Sequence, residues 1–110
     1  MDYIYYACHG LVNPSIVVNS DRTSSKHCFE GCSNMKSIRA EFNGTYSYGF
    51  SSFCNNCGEL TDAYIKFPYS LYFNDDAQTC SENGNIFAYC KKLINVELNM
   101  TRLELSLIHI

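Results

Sequence analysis

The sequence has no tryptophan, only two prolines and no cluster of basic residues. Eight Lys and Arg against eleven Asp and Glu give a formal charge of −3, which removes the electrostatic basis for binding nucleic acid or an anionic membrane. The uninterrupted apolar stretches are only a few residues long, so no segment is predicted to cross a bilayer. We therefore expect neither nucleic acid nor membrane insertion.

The sequence also lacks the common catalytic motifs. It contains no glycine-rich phosphate loop, no Gly-x-Ser-x-Gly elbow and no His-Glu-x-x-His zinc motif. His9 and His27 each adjoin a cysteine, but neighbouring residues on a strand point to opposite faces, which does not favour a thiol–imidazole pair. We therefore expect a non-enzymatic protein that needs no cofactor and no metal.

Cysteine is the residue in excess, with seven in 110 residues. Such a density is typical of one small disulfide-stapled extracellular domain, and less often of a zinc module. The first residues lack the features of a secretory signal, so the chain is expected to be a fragment of a longer secreted or cell-surface protein. Residues 105–110 match the translation of a transposon end used in sequencing libraries. We therefore expect a single module over 1–104 and an adapter-derived tail over 105–110.

Local patterns predict an α+β fold. Aromatic, alternating or β-branched runs predict strands at Tyr3–Cys8, Ile16–Val18, Ile38–Phe42, Ala63–Phe67, Ile86–Cys90 and Leu93–Leu98. Asn43-Gly44 lies between two alternating runs and predicts a two-residue hairpin.

Residues 25–35 predict one helix, because this segment has several N-cap candidates before it and no proline. Cys28 and Cys32 would share one face of that helix. No internal repeat is evident. The prediction is a helix packed on an antiparallel sheet.

Two arrangements of the cysteines remain open. As disulfides, a helix carrying Cys28 and Cys32 against Cys54 and Cys57 suggests the bridges Cys28–Cys57 and Cys32–Cys54, with Cys8–Cys90 joining the ends and Cys80 unpaired. Spacing alone does not determine the connectivity. The alternative is structural zinc held by Cys28, Cys32, Cys54 and Cys57.

The order of these residues resembles WSC domains, cysteine-rich modules related to the PAN/apple fold. The matching pieces are a lone Cys8, the segment His27–Cys32, the aromatic-Gly run Tyr46–Phe50, the pair Cys54-Asn55-Asn56-Cys57-Gly58, and Cys80 to Cys90 before an apolar strand. The resemblance covers nearly the whole chain. It implies an extracellular module, often attributed to carbohydrate binding, with no enzymatic activity.

Tyrosines and asparagines supply the candidate surface residues. Tyr64 and Tyr72 are the candidate ligand-binding residues, whereas Tyr46, Tyr48 and Phe50 are assigned to the core because no tryptophan is available to fill it. Asn43-Gly44-Thr45 and Asn99-Met100-Thr101 make Asn43 and Asn99 candidate glycosylation sites.

The expected function is that of a non-enzymatic extracellular binding module whose partner is a carbohydrate or a cell-surface protein. Two alternatives remain: an intracellular interaction module built on structural zinc, and a small secreted toxin or effector.

Overall fold

The computed structural model describes residues 1–47, 49–68, 70–71 and 85–99. These residues form seven short strands: β1 (Ser15–Val18), β2 (Arg22–Thr23), β3 (Ser37–Phe42), β4 (Tyr46–Ser47), β5 (Asp62–Lys66), β6 (Ser70–Leu71) and β7 (Asn95–Asn99). The strands form a four-stranded sheet in the order β1-β3-β5-β7 and a three-stranded sheet in the order β2-β4-β6. All of the pairings are parallel.

The register of the pairings shows that the chain winds as a solenoid. Ser15 pairs with Arg39, Arg39 with Tyr64, and Tyr64 with Glu97, so equivalent residues are 24, 25 and 33 positions apart. Parallel pairing of strands that recur along the sequence is typical of solenoids, in which each coil contacts only the coils before and after it. We name the turns by their described residues, coil 1 (1–24), coil 2 (25–49 without 48), coil 3 (50–71 without 69) and coil 4 (85–99), and we call a set of equivalent positions a column.

A third side of each coil consists of successive turns, and the backbone also hydrogen-bonds there from coil to coil. Tyr3 N–H donates to Lys26 O at 3.0 Å, and His27 N–H donates to Ser51 O at 2.8 Å. Two columns on this side have left-handed backbone: Tyr3, His27, Ser52 and Asn85 in one, and Ala7, Gly31, Asn56 and Tyr89 in the other. The same two kinks are therefore repeated in every coil.

Phenylalanine fills the interior, as expected in a chain without tryptophan. Phe50 is fully buried, and its ring meets Phe42 edge-on at 4.8 Å and Phe67 at 5.0 Å between centroids. Phe29 and Phe53 make a similar edge contact at 5.2 Å. Each buried Phe contributes roughly 1.5–3 kcal/mol through removal of apolar surface from water. The assignment of Phe50 to the core is confirmed, while the side chains of Tyr46 and Tyr48 lie outside the described part.

The predicted α+β fold is wrong, because the described residues contain no helix and their strands pair in parallel. Residues 25–35 form turns instead of a helix since His27 and Gly31 have φ values of 58° and 74°, which an α-helix does not accept. The strand predictions near Ile16–Val18, Ile38–Phe42 and Ala63–Phe67 are confirmed by β1, β3 and β5. The strands predicted at Tyr3–Cys8 and Ile86–Cys90 are wrong: both segments form turns, with left-handed backbone at Tyr3, Ala7 and Tyr89.

The predicted hairpin at Asn43-Gly44 is also wrong. The hydrogen-bonded neighbours of β3 are β1 and β5, and neither Asn43 nor Gly44 has the positive φ that a type I′ turn needs. Gly44 has another role: a Cβ there would lie 1.9 Å from the carbonyl oxygen of Ser20 in coil 1. Glycine lets the two coils approach at this corner. No helix in the described part has the length and apolarity to cross a membrane.

Candidate binding face

The outer surface of the four-stranded sheet carries the richest set of polar and aromatic side chains. Successive strand residues point to opposite faces, so the alternate positions that are not in the core project outward together. Two columns result, which we call the sheet face: Ser15, Arg39, Tyr64 and Glu97 in one, and Val17, Glu41, Lys66 and Asn99 in the other.

Arg39 and Tyr64 form the centre of the sheet face. The Arg39 guanidinium carbon lies 4.1 Å from the Tyr64 ring centroid, a cation–π contact between neighbouring strands. Arg39 Nη2 also donates to Glu41 Oε1 at 3.0 Å. These two contacts orient the guanidinium, while Glu97 occupies the register position on the other side of Tyr64.

A groove of about 420 Å³ runs along this face. Its lining includes Arg39, Tyr64 and Glu97 together with Asp62 and Asn95 from the adjacent column. Ile94 and Val96 give the groove an apolar margin in coil 4. The groove therefore presents a cation, carboxylates, an amide and an aromatic ring within one surface.

Hydrogen bonds between coils position the polar groups at the two ends of the sheet strands. Asn95 Nδ2 donates to Asp62 Oδ1 at 2.6 Å, and Thr61 Oγ1 donates to Asp62 Oδ2 at 2.7 Å. These bonds stabilise the carboxylate and lower the pKa of Asp62, with Asn95 making the larger contribution. At the other strand end, Asn43 donates to Asn19 at 3.0 Å and accepts from Lys66 at 2.8 Å.

One member of this set was identified from the sequence. Tyr64 lies in the groove, whereas Tyr72 lies outside the described residues. Arg39 and Glu97 were missed, although the alternation of Ile38, Ala40 and Phe42 already directs Arg39 away from the core. Their alignment with Tyr64 depends on the register between coils, which no local pattern provides.

The six described cysteines are all free thiols, so the predicted bridges Cys8–Cys90, Cys28–Cys57 and Cys32–Cys54 are not present in this structure. Cys8 and Cys90 lie in coils 1 and 4, three strand spacings or about 14 Å apart, which is too far for a disulfide within one chain. Cys80, predicted to be unpaired, lies outside the described residues.

Four of the cysteines instead form one column: Cys8, Cys32, Cys57 and Cys90. The thiols of the last three donate to carbonyl oxygens one coil earlier, Cys32 to Tyr5 at 3.1 Å, Cys57 to Phe29 at 3.1 Å and Cys90 to Cys54 at 3.0 Å. Each cysteine is followed three positions later by a core residue, namely Leu11, Met35, Leu60 or Leu93. The Cys-x-x-Leu or Cys-x-x-Met spacing is therefore the signature of the repeat.

The described residues contain no group of three or more His, Cys, Asp or Glu placed to hold a metal ion, so nothing in this part of the chain supports the zinc alternative. Burial raises the pKa of the Cys28 thiol to about 12 and also raises that of Cys54. Such thiols stay protonated and are poor nucleophiles at neutral pH. These two cysteines therefore have the properties of core residues.

The two candidate glycosylation sites are exposed. The Asn43 amide is already bonded to Asn19 and Lys66, and Asn99 lies in β7. Glycosylation at either position stays a prediction.

Comparison with models of protein families, with curated proteins and with solved structures finds no match. The resemblance to WSC domains therefore rests on the cysteine and aromatic pattern alone, and the helix on an antiparallel sheet that it implies is not found in the described residues.

Proposed function

We propose that this chain is a non-enzymatic binding module that recognises a segment of a partner protein through the sheet face. The observation that carries the proposal is the alignment of Arg39, Tyr64 and Glu97 in one register column on adjacent strands. Extended surfaces of this kind are the usual binding sites of solenoids.

The chemistry of the column suits a protein ligand. Arg and Tyr are enriched among the residues that dominate protein–protein binding energy, because they combine apolar contact area with directed polar groups. Tyr64 and Glu41 hold the Arg39 side chain in place before any partner arrives, which lowers the entropy cost of binding. A carboxylate in the partner would meet Arg39, and an apolar side chain would meet the margin formed by Ile94 and Val96.

A carbohydrate is the second candidate ligand. Asp62 and Asn95 place a carboxylate and an amide beside Tyr64 in the groove, which is the combination that binds sugar hydroxyls. However, Arg39 already covers one face of the Tyr64 ring at 4.1 Å. Only the other face remains for a sugar to stack on, so we favour the protein ligand.

We place this activity in a secreted or cell-surface protein, and a small secreted effector would use the same face. The location is supported by the two Asn-x-Thr triplets.

The test uses a random peptide library displayed on phage and selected on the immobilised chain. Binding of the selected peptides is then measured against the parent, Tyr64→Ala, Arg39→Ala and the control Ser33→Ala, which changes an exposed residue away from the sheet face. We expect at least a tenfold loss, or about 1.4 kcal/mol, for the first two variants. Peptides that bind all four proteins equally would contradict the proposal.

A glycan array probed with the same four proteins addresses the second candidate. If glycan binding disappears in Tyr64→Ala and the peptide selection fails, the ligand of the sheet face is a carbohydrate. No glycan binding and Tyr64-dependent peptides would support the protein ligand.

A further inference from the structure

The exposed large hydrophobic residues of the described chain all lie in the first or the last coil. Coil 1 exposes Tyr3, Ile4, Tyr6, Val12 and Val17, and coil 4 exposes Tyr89, Ile94 and Val96. Ile94 and Tyr89 are 76% and 72% exposed, whereas the hydrophobic residues at the equivalent columns of coils 2 and 3 are buried or replaced by polar ones. Within the described residues, the exposed apolar surface is therefore concentrated in the two outer coils.

The same two ends carry the edge strands of the larger sheet. Within the described residues, β1 pairs with β3 alone and β7 pairs with β5 alone. An edge strand presents unpaired backbone groups that can template a further strand.

The exposed corner of coil 4 matches that of coil 1 column by column. Cys90, Leu93 and Ile94 are equivalent to Cys8, Leu11 and Val12, and these residues are half-buried or exposed at both ends. In the interior, the equivalent residues Cys32 and Met35 are fully covered by the next coil. A coil placed on either end would therefore meet side chains of the kinds that already pack between coils.

In one column of polar residues, the hydrogen bonds run from the later coil to the earlier one. Asn95 uses its Nδ2 to donate to Asp62, and Asn13 uses its Oδ1 to accept from Ser37 at 2.9 Å. The remaining Asn95 Oδ1 is an acceptor at one end, and the remaining Asn13 Nδ2 is a donor at the other. Asn43 and Asn19 already make such an amide pair at 3.0 Å between coils 1 and 2.

We propose that two copies of this chain associate head to tail, with coil 1 of one copy stacked on coil 4 of the other. In this contact β7 and β1 pair in parallel, Ile94 packs on Val12, and Asn95 accepts from Asn13. Ile86 and the Phe87 side chain are already buried, so the contact is confined to the corner from Cys90 to Asn99. An interface of this type is heterologous, so larger assemblies are open rows unless the rotation between copies closes a ring.

Sedimentation velocity over a wide concentration range, in the presence of reductant, tests the proposal. We expect the parent chain to associate reversibly. Val12→Lys and Ile94→Glu should each stay monomeric at concentrations where the parent associates, because each places a charge in the apolar contact. Both residues are exposed in the single chain, so these substitutions are compatible with its fold. An equimolar mixture of the two variants should associate again, because the introduced carboxylate of one copy meets the introduced ammonium group of the other.

Gly58→Lys is the matched control, since it adds the same charge in coil 3, where nothing lies within 4 Å of the added Cβ, and it should associate like the parent. A parent chain that is monomeric throughout, or single variants that associate normally, would overturn the proposal. Ile94 also lines the groove, but Val12 does not. Val12→Lys should therefore prevent association and still bind the selected peptides, so the two proposals can fail independently.

A crosslinking experiment reports the register directly. Copies carrying Asn13→Cys and labelled with a heavy isotope are mixed with unlabelled copies carrying Asn95→Cys, both at exposed positions, and treated with a short bifunctional maleimide. We expect a linkage between the two introduced thiols, and its loss when Val12→Lys is added to the Asn13→Cys copy. Linkages between two Asn13→Cys copies in place of this one would indicate a symmetric dimer and overturn the head-to-tail arrangement.

Discussion

The Cys57 thiol donates a hydrogen bond to the carbonyl oxygen of Phe29, one coil earlier, at 3.1 Å. The side chain is fully buried. Cys57→Ala should lower the free energy of unfolding by about 1–3 kcal/mol, because it removes this bond and leaves a small cavity. Urea denaturation measures the change. Cys8→Ala, at the half-exposed position of the same column, should cost clearly less, and equal losses would argue against the cysteine column as a structural device.

Gly44→Ala should be strongly destabilising because the new Cβ would lie 1.9 Å from the Ser20 carbonyl oxygen and the two coils would have to separate. We expect a loss of about 1–3 kcal/mol, as for other overpacked sites. Gly58→Ala is the matched control, since nothing lies within 4 Å of its added Cβ. Thermal unfolding of both variants is the measurement. A Gly44→Ala protein as stable as Gly58→Ala would contradict this contact.

Gly31 and Ala7 occupy one left-handed column, with φ values of 74° and 53°. A Cβ at Gly31 makes only ordinary contacts, the nearest at 3.7 Å, so Gly31→Ala should cost roughly 1 kcal/mol from backbone strain alone. Ala7→Gly should relieve the same strain and be neutral or slightly stabilising. The urea midpoint should therefore fall in Gly31→Ala and stay the same or rise slightly in Ala7→Gly, and a loss of stability in Ala7→Gly would indicate that the column is not strained.

Asp62 should titrate below its ordinary pKa of 3.8, because Asn95 and Thr61 donate to its carboxylate. A lowered pKa means that the native state binds protons less readily than the unfolded chain. The stability from these bonds is present above the unfolded pKa and is lost as the pH falls through the folded one. An NMR pH titration of the Asp62 carboxyl gives the midpoint, and Asn95→Ala should move it upward. An unchanged midpoint would rule out Asn95 as the main cause.

Buried thiols should make the fold sensitive to alkaline pH. Burial raises the pKa of Cys28 from 9.0 to about 12, so between these values the unfolded chain releases a proton that the native state keeps. Stability is therefore fully present below pH 9.0 and decreases as the pH rises above it. Denaturation series at increasing pH measure the slope. Cys28→Ala should reduce that slope, whereas Cys8→Ala serves as the comparison at a half-exposed site.

The strands β1, β3 and β5 were predictable because their signal is local. Ile38, Ala40 and Phe42 alternate with polar residues, and β3 follows that alternation. The pairing was not predictable from the same residues, since β3 contacts strands that lie 24 residues before and 25 after it. Asn43-Gly44 favours a hairpin locally, but the close approach of Ser20 is a tertiary requirement that glycine alone satisfies.

The cysteine spacing was misleading for a similar reason. Cys28 and Cys32 have helical spacing, and both are buried, yet they lie on turns broken by His27 and Gly31. The recurring distance from Cys to Leu or Met was visible in the sequence at positions 8, 32, 57 and 90. A search for spacing at a fixed period would have detected it before any disulfide pattern was considered. Tyr64 could be identified as exposed, but its pairing with Arg39 requires the register.

Equivalent positions lie 25 residues apart between coils 2 and 3 but 33 residues apart between coils 3 and 4. Ser70 still pairs with Tyr46 at a spacing of 24, so the additional residues come between Leu71 and Asn85 in the sequence. The cysteine, leucine and strand columns resume in register after this insertion. The register of β7 on β5 is therefore kept although the sequence between Leu71 and Asn85 is longer than the spacing between the other coils requires. Chain length at this point is independent of coil stacking, so it is the natural place to insert foreign sequence into the chain.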